Sequence, residues 1–350
     1  MYFCKFLIIS FLIASASGCN SEKSSEKKLF SLKVTAESGK IQQGSTLKID
    51  FQNKKNKEID SVSYQLNKKR IDVNNNTFKL NADKLGILTL EATVFYEGEK
   101  ATVSQNITAL ASEAPKVYTY EIINTYPHDM KAYTQGLEFH NDTLYESTGR
   151  KGISSLRKVD YKTGDVLKKI DLDDTYFGEG ITIIDNKIYM LTWQAGTGFI
   201  YDLNTFEKID SFKYNKSKEG WGLTHTNDGK RIFKSDGSDK IWILNPETLV
   251  EEDFIETVTN TSVFNKANEL EYVDGKIYAN VYLKDSAMII DAKTGAIIGV
   301  IDFRGLKDKV KQHADLDVLN GIAYNPKTET FFVTGKNWDK MFEVTIKEKK

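Results

Sequence analysis

The chain has 350 residues but only two Cys and four His, so it is poor in the side chains that build most metal and redox sites. The cysteines are Cys4 and Cys19 and the histidines are His128, His140, His225 and His313; none falls in HExxH, CxxC or HxxxH spacing. That argues against a dedicated zinc site of nitrogen and sulfur ligands. Charge of one sign is also lacking. Lys and Arg number 48 against 49 Asp and Glu, a formal charge of −1, which gives no global field for nucleic acid or an anionic membrane. There is no GxSxG, no Walker loop and no GxGxxG opening a helix, which removes the common nucleophile-elbow, nucleotide and dinucleotide sites.

Both cysteines sit at the N-terminus. Lys5, an apolar run from Phe6 to Ala14, and the small residues Ala14-Ser15-Ala16-Ser17-Gly18 before Cys19 read as an export signal over residues 1–18, too short for a stable membrane span. The ending resembles a bacterial lipoprotein signal, in which Cys19 becomes the lipidated mature N-terminus, although Ala16 stands where Leu is usual. On that reading the protein is exported and lipid-anchored to a bacterial membrane, periplasmic or at the cell surface. The mature chain then keeps no free thiol and no disulfide. Residues 19–28, rich in Ser, Lys and Glu, read as a flexible tether.

With 40% hydrophobic residues, the remainder has material for folded cores. Residues 29–111 alternate apolar and polar residues in six short runs separated by turns such as Ser38-Gly39, Asn74-Asn75-Asn76 and Glu97-Gly98. Period-two alternation at this density predicts a small immunoglobulin-like β-sandwich. Ser112-Glu113-Ala114-Pro115 marks a boundary, and residues 116–347 carry an internal repeat. Its units open at Gly136, Gly180, Gly222, Glu269 and Gly321, so the starts lie 44, 42, 47 and 52 residues apart. Each unit reads as a strand, a turn, a second strand and a third, and the first four add a fourth. Such a period predicts a five-bladed β-propeller, all-β like the sandwich before it. The fifth unit lacks its outer strand, for which Lys116 to Ile122 is the donor, and Leu306 to His313 reads as a short helix.

In a propeller the residue before each opening position converges on one mouth of the channel. Those residues are Gln135, Glu179, Trp221, Asn268 and Asn320: one carboxylate among amides and an indole, a pocket for a small polar ligand. The bland alternative is that they are polar turn residues. Glu179 lies in Tyr176-Phe177-Gly178-Glu179-Gly180, and desolvation beside Phe177 and Trp221 would raise its pKa toward neutrality, as general acid–base work requires. Trp193 and Lys336 end second strands that point at the same mouth, with packing and a solvated surface as their respective alternatives; Trp242 in Ile241-Trp242-Ile243-Leu244 reads as packing.

The blocks Tyr126-Pro127-His128-Asp129, Ala132-Tyr133-Thr134-Gln135-Gly136-Leu137, Leu144-Tyr145-Glu146-Ser147-Thr148-Gly149, Tyr176-Phe177-Gly178-Glu179-Gly180, Gly220-Trp221-Gly222-Leu223, Ser235-Asp236-Gly237, Asn268-Glu269-Leu270-Glu271-Tyr272, Val318-Leu319-Asn320-Gly321-Ile322-Ala323 and Val333-Thr334-Gly335-Lys336 together resemble the plant and bacterial glutaminyl cyclases, or glutamine cyclotransferases. The resemblance implies a five-bladed propeller that converts the N-terminal glutamine of peptides or proteins to pyroglutamate with release of ammonia. It implies Glu179 as catalytic acid/base and Gln135, Phe177, Trp193, Trp221, Asn268 and Lys336 as the substrate pocket. A further pocket position, Trp in the plant enzymes, falls on Tyr282, which keeps an aromatic wall without the indole donor. Indole N–H groups, an amide and Lys336 are the candidate oxyanion donors. No cofactor or catalytic metal is required, a structural divalent cation could sit in the channel on oxygen ligands, and a monomer is expected. The competing readings are a non-catalytic propeller lipoprotein that binds a peptide or protein, and a metal-dependent hydrolase, which would need several inward carboxylates where only Glu179 and Glu146 are evident.

Overall fold

The computed structural model describes residues 29–349. The expected export signal, Cys4, Cys19 and the whole of the expected tether lie outside them. The described chain is all-β, with one 3-10 turn among the described residues, Lys307–Lys309. The short helix expected from Leu306 to His313 is therefore only this turn. Asp315 and Asp317 follow within the next few residues, and the segment continues as irregular chain into Leu319–Asn325.

Two compact units are present. One comprises the chain up to Glu37, Thr46–Phe78 and Leu88–Ile107; the other comprises Ser38–Ser45, Lys79–Ile87 and the chain from Thr108 onward. In the first, Phe30–Ala36 pairs antiparallel with Thr46–Asn53. A second sheet has the strands Lys69–Ile71, Ile59–Leu66, Gly86–Tyr96 and Glu99–Ala109 in that order. Burial along Gly86–Tyr96 alternates residue by residue, as a strand with one covered face must. Phe30 packs on Phe51 and Tyr96, with Ala92, Val94, Ala101 and Val103 completing the core.

The second unit is built from sheets of four strands. The first holds Thr134–His140, Thr143–Thr148, Ser155–Asp160 and Asp165–Asp171. The second holds Gly178–Ile184, Lys187–Thr192, Thr197–Asp202 and Lys208–Lys213, and the third Leu223–His225, Ile232–Ser235, Lys240–Leu244 and Glu251–Glu256. The fourth holds Ala267–Val273, Lys276–Val281, Ser286–Asp291 and Ile297–Asp302. In the fifth, Leu319–Asn325, Thr330–Gly335 and Lys340–Glu348 are completed by Lys116–Pro127, the donor strand expected from the sequence. That strand also touches Ile297–Asp302 in parallel, so sheets four and five share one hydrogen-bonded ladder.

The leading strands of the five sheets neighbour one another in cyclic order, the fifth returning to the first. The apolar core follows the same order. Ile181 and Met190 pack on Tyr145 and Leu156, Leu223 and Trp242 on Tyr189 and Leu191, Leu270 and Ile277 on Phe233 and Ile241, Ile322 and Phe342 on Ala287 and Ile289, and Phe332 and Met341 on Leu137 and Phe139. Each cluster joins two successive sheets, and the fifth closes the ring.

Neighbouring leading strands form no ladder with each other, so most of their inward N–H groups need side-chain acceptors. Glu138 accepts from the Ile183 N–H at 3.0 Å, Glu269 from Leu137 at 3.3 Å and Ile322 at 2.9 Å, and Glu271 from Tyr324 at 2.9 Å. These are three inward carboxylates beyond the two evident in the sequence. Their backbone donors account for them, and among the described residues no group of three or more His, Cys, Asp or Glu could hold a metal ion.

Candidate active site

Irregular pairing at the start of the leading strands creates the site. Gln135 is the extra residue between Gly136 and Thr134 opposite Ser147 and Thr148. Glu179 and Gly180 share one partner position, as do Asn268 with Glu269 and Asn320 with Gly321. A β-bulge leaves its extra residue outside the ladder and turns its side chain. The freed carbonyls are taken up by the preceding sheet: Ser147 Oγ donates to the Glu179 carbonyl at 2.6 Å and Ser235 Oγ to that of Asn268 at 2.6 Å. Gly180 N–H donates to the Trp221 carbonyl at 2.7 Å, and a Cβ on Gly180 would lie 2.6 Å from the Leu223 nitrogen. Only glycine lets these two strands approach so closely beside Glu179.

The bulges open on a cavity of about 190 Å³ lined by Gln135, Phe177, Glu179, Trp193, Trp221, Asn268, Tyr282 and Lys336, together with Tyr133. All eight site residues expected from the sequence are thus brought together, and Tyr133 is added. Asn320 stands behind the wall rather than in it. Its Nδ2 donates to Gln135 Oε1 at 3.0 Å and to the Thr134 carbonyl at 2.9 Å. Gln135 Nε2 in turn donates to Glu179 Oε1 at 3.1 Å. Gln135 therefore spends both ends of its amide holding Glu179 in place. Glu146, the other carboxylate noted in the sequence, is spent elsewhere, bonded to His128 Nε2 at 2.9 Å and to Thr134 Oγ1 at 2.7 Å.

Glu179 is 4% exposed. Burial pushes its carboxyl well above the ordinary value; the Lys336 charge pulls it down and the Glu219 charge pushes it further up. Lys336, 3% exposed, is drawn below the usual lysine range by burial against the opposing pull of Glu179 and Asp317. Its ammonium faces the rings of Tyr133 at 4.8 Å and Tyr282 at 5.7 Å and makes no ion pair among the described residues. Solvated surface is thereby ruled out for Lys336. The aromatic wall is interlocked: Phe177 meets Trp193 edge-on at 5.5 Å and Tyr133 at 6.2 Å, while Trp221 meets Tyr282 at 5.2 Å. Gly237, at φ +78°, sits so close under Trp221 that a Cβ would be 2.5 Å from the ring. Trp242 is the packing residue expected, buried with its indole N–H on Asp236.

One expectation is corrected. Both pocket indoles already donate to Glu219: Trp193 Nε1 at 2.8 Å and Trp221 Nε1 at 2.9 Å, each to Oε2. They are not available as oxyanion donors. Lys336 Nζ and the Asn268 amide remain, both facing the cavity without a hydrogen-bond partner among the described residues.

Tyr133 and Glu219 are the residues that sequence reasoning left out, although the repeat contained the signal. Phe177 lies three positions before the Gly180 that opens its unit; Tyr133 and Glu219 hold the same position before Gly136 and Gly222. The offset that picks out Phe177 picks out both.

Glu219 is carried by a loop held from below. Glu251 accepts from Lys216 N–H at 2.7 Å and Ser217 N–H at 2.9 Å, and its other oxygen takes Lys234 Nζ at 2.6 Å. Lys234 is 0% exposed and packs on the Tyr214 ring at 3.5 Å. Removing one partner of a buried ion pair strands the other charge. Lys234→Met is accordingly expected to destabilise the fold by about 3 to 5 kcal/mol in equilibrium denaturation; a loss under about 1 kcal/mol would mean that Glu251 finds other compensation.

Comparison with known proteins bears on the same segment. The family model described as glutamine cyclotransferase matches residues 92–346. A curated relative from Arabidopsis thaliana, glutaminyl-peptide cyclotransferase, is 39% identical over 236 residues, covering 67% of this chain and 73% of its own length. The crystal structure of Myxococcus xanthus glutaminyl cyclase superposes with a TM-score of 0.63 at 31% identity, covering 67% of this chain and all of that one.

Proposed function

The chain belongs to the glutamine cyclotransferase family, and on that premise we propose that it is a glutaminyl-peptide cyclotransferase, converting N-terminal glutamine of peptides or proteins to pyroglutamate with Glu179 as the acid/base. The observation that carries the reading is a buried carboxyl on a bulge, held by an amide on one side and opposed by an unpaired ammonium on the other, in a cavity of about 190 Å³. The five sheets read as blades of a five-bladed propeller, supported by their cyclic order, and the alternating strands of the first unit read as an immunoglobulin-like sandwich. Export and lipid anchoring at Cys19 complete the proposal.

Burial favours the protonated form of the Glu179 carboxyl. The neutral α-amine attacks the γ-amide carbon and forms the ring C–N bond. Glu179 gives its proton to the departing amide nitrogen and recovers one from the attacking amine, so the C–N bond to the leaving group breaks, ammonia departs and Glu179 ends as it began. The oxygen that gathers negative charge during attack faces Lys336 and Asn268, fixed donors in a dry site. Trp193, Trp221, Phe177 and Tyr282 hold the substrate's methylenes so that amine and amide stay within reach of each other. A peptide-binding module would use the same aromatic wall, but it would have no use for a buried acid beside an unpaired lysine.

The test is kinetic. With a Gln-initiated dipeptide, Trp221→Ala is expected to raise KM about tenfold and to lower kcat as well, because the wall both binds and orients. Unchanged kinetics would remove this cavity from the reading.

A further inference from the structure

Glu219 lies outside the lining of the cavity, two residues before Trp221, and one carboxylate oxygen accepts the indole N–H groups of two tryptophans on two different sheets. Its second oxygen accepts from Gln194 Nε2 at 3.0 Å. Trp193 follows the second strand of sheet two and Trp221 precedes the leading strand of sheet three. Among the described residues no backbone hydrogen bond joins Trp193 to Trp221; the carboxylate is the shared partner.

The loop that carries Glu219 is itself fixed. Tyr214 Oη donates to the Thr192 carbonyl at 3.1 Å and accepts from the Thr192 N–H at 2.9 Å, tying the loop's start to the strand that leads into Trp193. Ser217 Oγ donates to Glu251 Oε1 at 2.5 Å, and Lys234 reaches both. Gly220 completes the turn with room for no Cβ, which would be 2.5 Å from Tyr214 Oη. Burial raises the Glu219 carboxyl, but the donors Gln194, Trp221 and Trp193 outweigh it and hold the group below the usual carboxylate range, so it is ionised whenever the pocket works.

We propose that Glu219 is the positioning residue of this pocket: by accepting both indole N–H groups on one oxygen it sets the spacing of Trp193 and Trp221, and so the width of the slot that admits the substrate side chain. Beside the push of its charge on Glu179 it acts through the rings, and it touches no reacting atom. The proposal rests on the cyclotransferase reading for its kinetic consequence, and on geometry alone for its spectroscopic one.

The experiment compares wild type with Glu219→Ala and Glu219→Gln, using a Gln-initiated dipeptide as probe. Ala removes the shared acceptor and leaves two indole donors without a partner; KM is expected to rise about tenfold, with kcat changing less. Gln keeps one amide oxygen for the two indoles and is expected to recover most of that loss. Near-ultraviolet circular dichroism and tryptophan emission, recorded without substrate, should change in the Ala variant and stay close to wild type in the Gln variant. Wild-type KM and spectra in the Ala variant would overturn the proposal, as would a Gln variant as impaired in KM as the Ala variant. Unfolding temperatures are measured alongside; if Glu219→Ala does not fold, Glu219→Gln and Gln194→Ala still decide, since loss of the Gln194 donor should leave KM within about threefold of wild type if the indole oxygen is the one that matters. An inactive wild type would remove the cyclotransferase reading while leaving the spectroscopic comparison intact.

Discussion

Glu179→Gln is expected to reduce ammonia release by about 10²- to 10⁴-fold, the range that a positioned acid/base contributes. Gln is nearly isosteric and can still accept from Gln135 Nε2, so the bulge, the cavity and the wall should survive. Substrate affinity and unfolding temperature are therefore expected to stay close to wild type, and the loss should appear in kcat. The buried neutral amide removes a cost too, because Glu179 is a carboxyl whose ionisation burial opposes. Near wild-type turnover would transfer the proton-moving role to another group. A collapse of both kcat and stability would mean that Glu179 holds the fold rather than the chemistry.

The second large effect concerns pH and stability. Burial pushes Glu138 up to about 8, and pushes Glu269 and Glu271, like Glu179, well above 4.5. In the folded state these carboxyls keep protons that the unfolded chain releases above pH 4.5. Each therefore favours folding below that pH and loses its contribution as pH rises through the folded value, at about 1.4 kcal/mol per pH unit per proton. His128, raised by Glu146 and the Trp338 carbonyl against the larger effect of burial, adds a contribution of the same sign. His225, lowered to about 4 by burial, and His140, lowered likewise, act in the opposite direction, but only until the unfolded histidines have lost their protons near 6.5. The steepest fall in thermal stability is thus expected between about pH 6.5 and 8. Glu138→Gln should flatten the curve across that window. A melting temperature that rises from pH 6.5 to 8 would contradict the assignment of these groups.

Much of this was legible in the chain. The repeat with its opening positions at Gly136, Gly180, Gly222, Glu269 and Gly321 marks the leading strands, because each turn is followed by alternating strands whose hydrophobic residues face neighbouring sheets. The missing fifth outer strand pointed to Lys116 and the residues after it. The site was legible through the same repeat, since the residue before four of the five opening positions is the one that a bulge displaces.

Other features were hidden for physical reasons. Glu138, Glu269 and Glu271 sit inside mainly apolar tetrads and answer to N–H groups on other sheets, 45 to 132 residues away, a pairing that no local pattern encodes. Asn320 looks like a pocket residue by position, and only the three-dimensional arrangement shows it pointed at Gln135 instead. The role of Glu219 depends on two indoles from different sheets meeting on one oxygen. The 3-10 turn at Lys307–Lys309 shows the converse case, in which a local helical pattern gained too little packing to extend: none of its three residues is buried.

The central claim is that a carboxyl, an ammonium and an aromatic slot cyclise glutamine without a metal. The measurement that tests it most directly follows ammonia released from a Gln-initiated dipeptide by the purified chain from residue 20 onward, with and without chelator, after subtraction of the slow spontaneous reaction. The account predicts release well above the blank, unchanged by chelator and lost in Glu179→Gln. Release no faster than the blank, or activity that chelation abolishes, would contradict it.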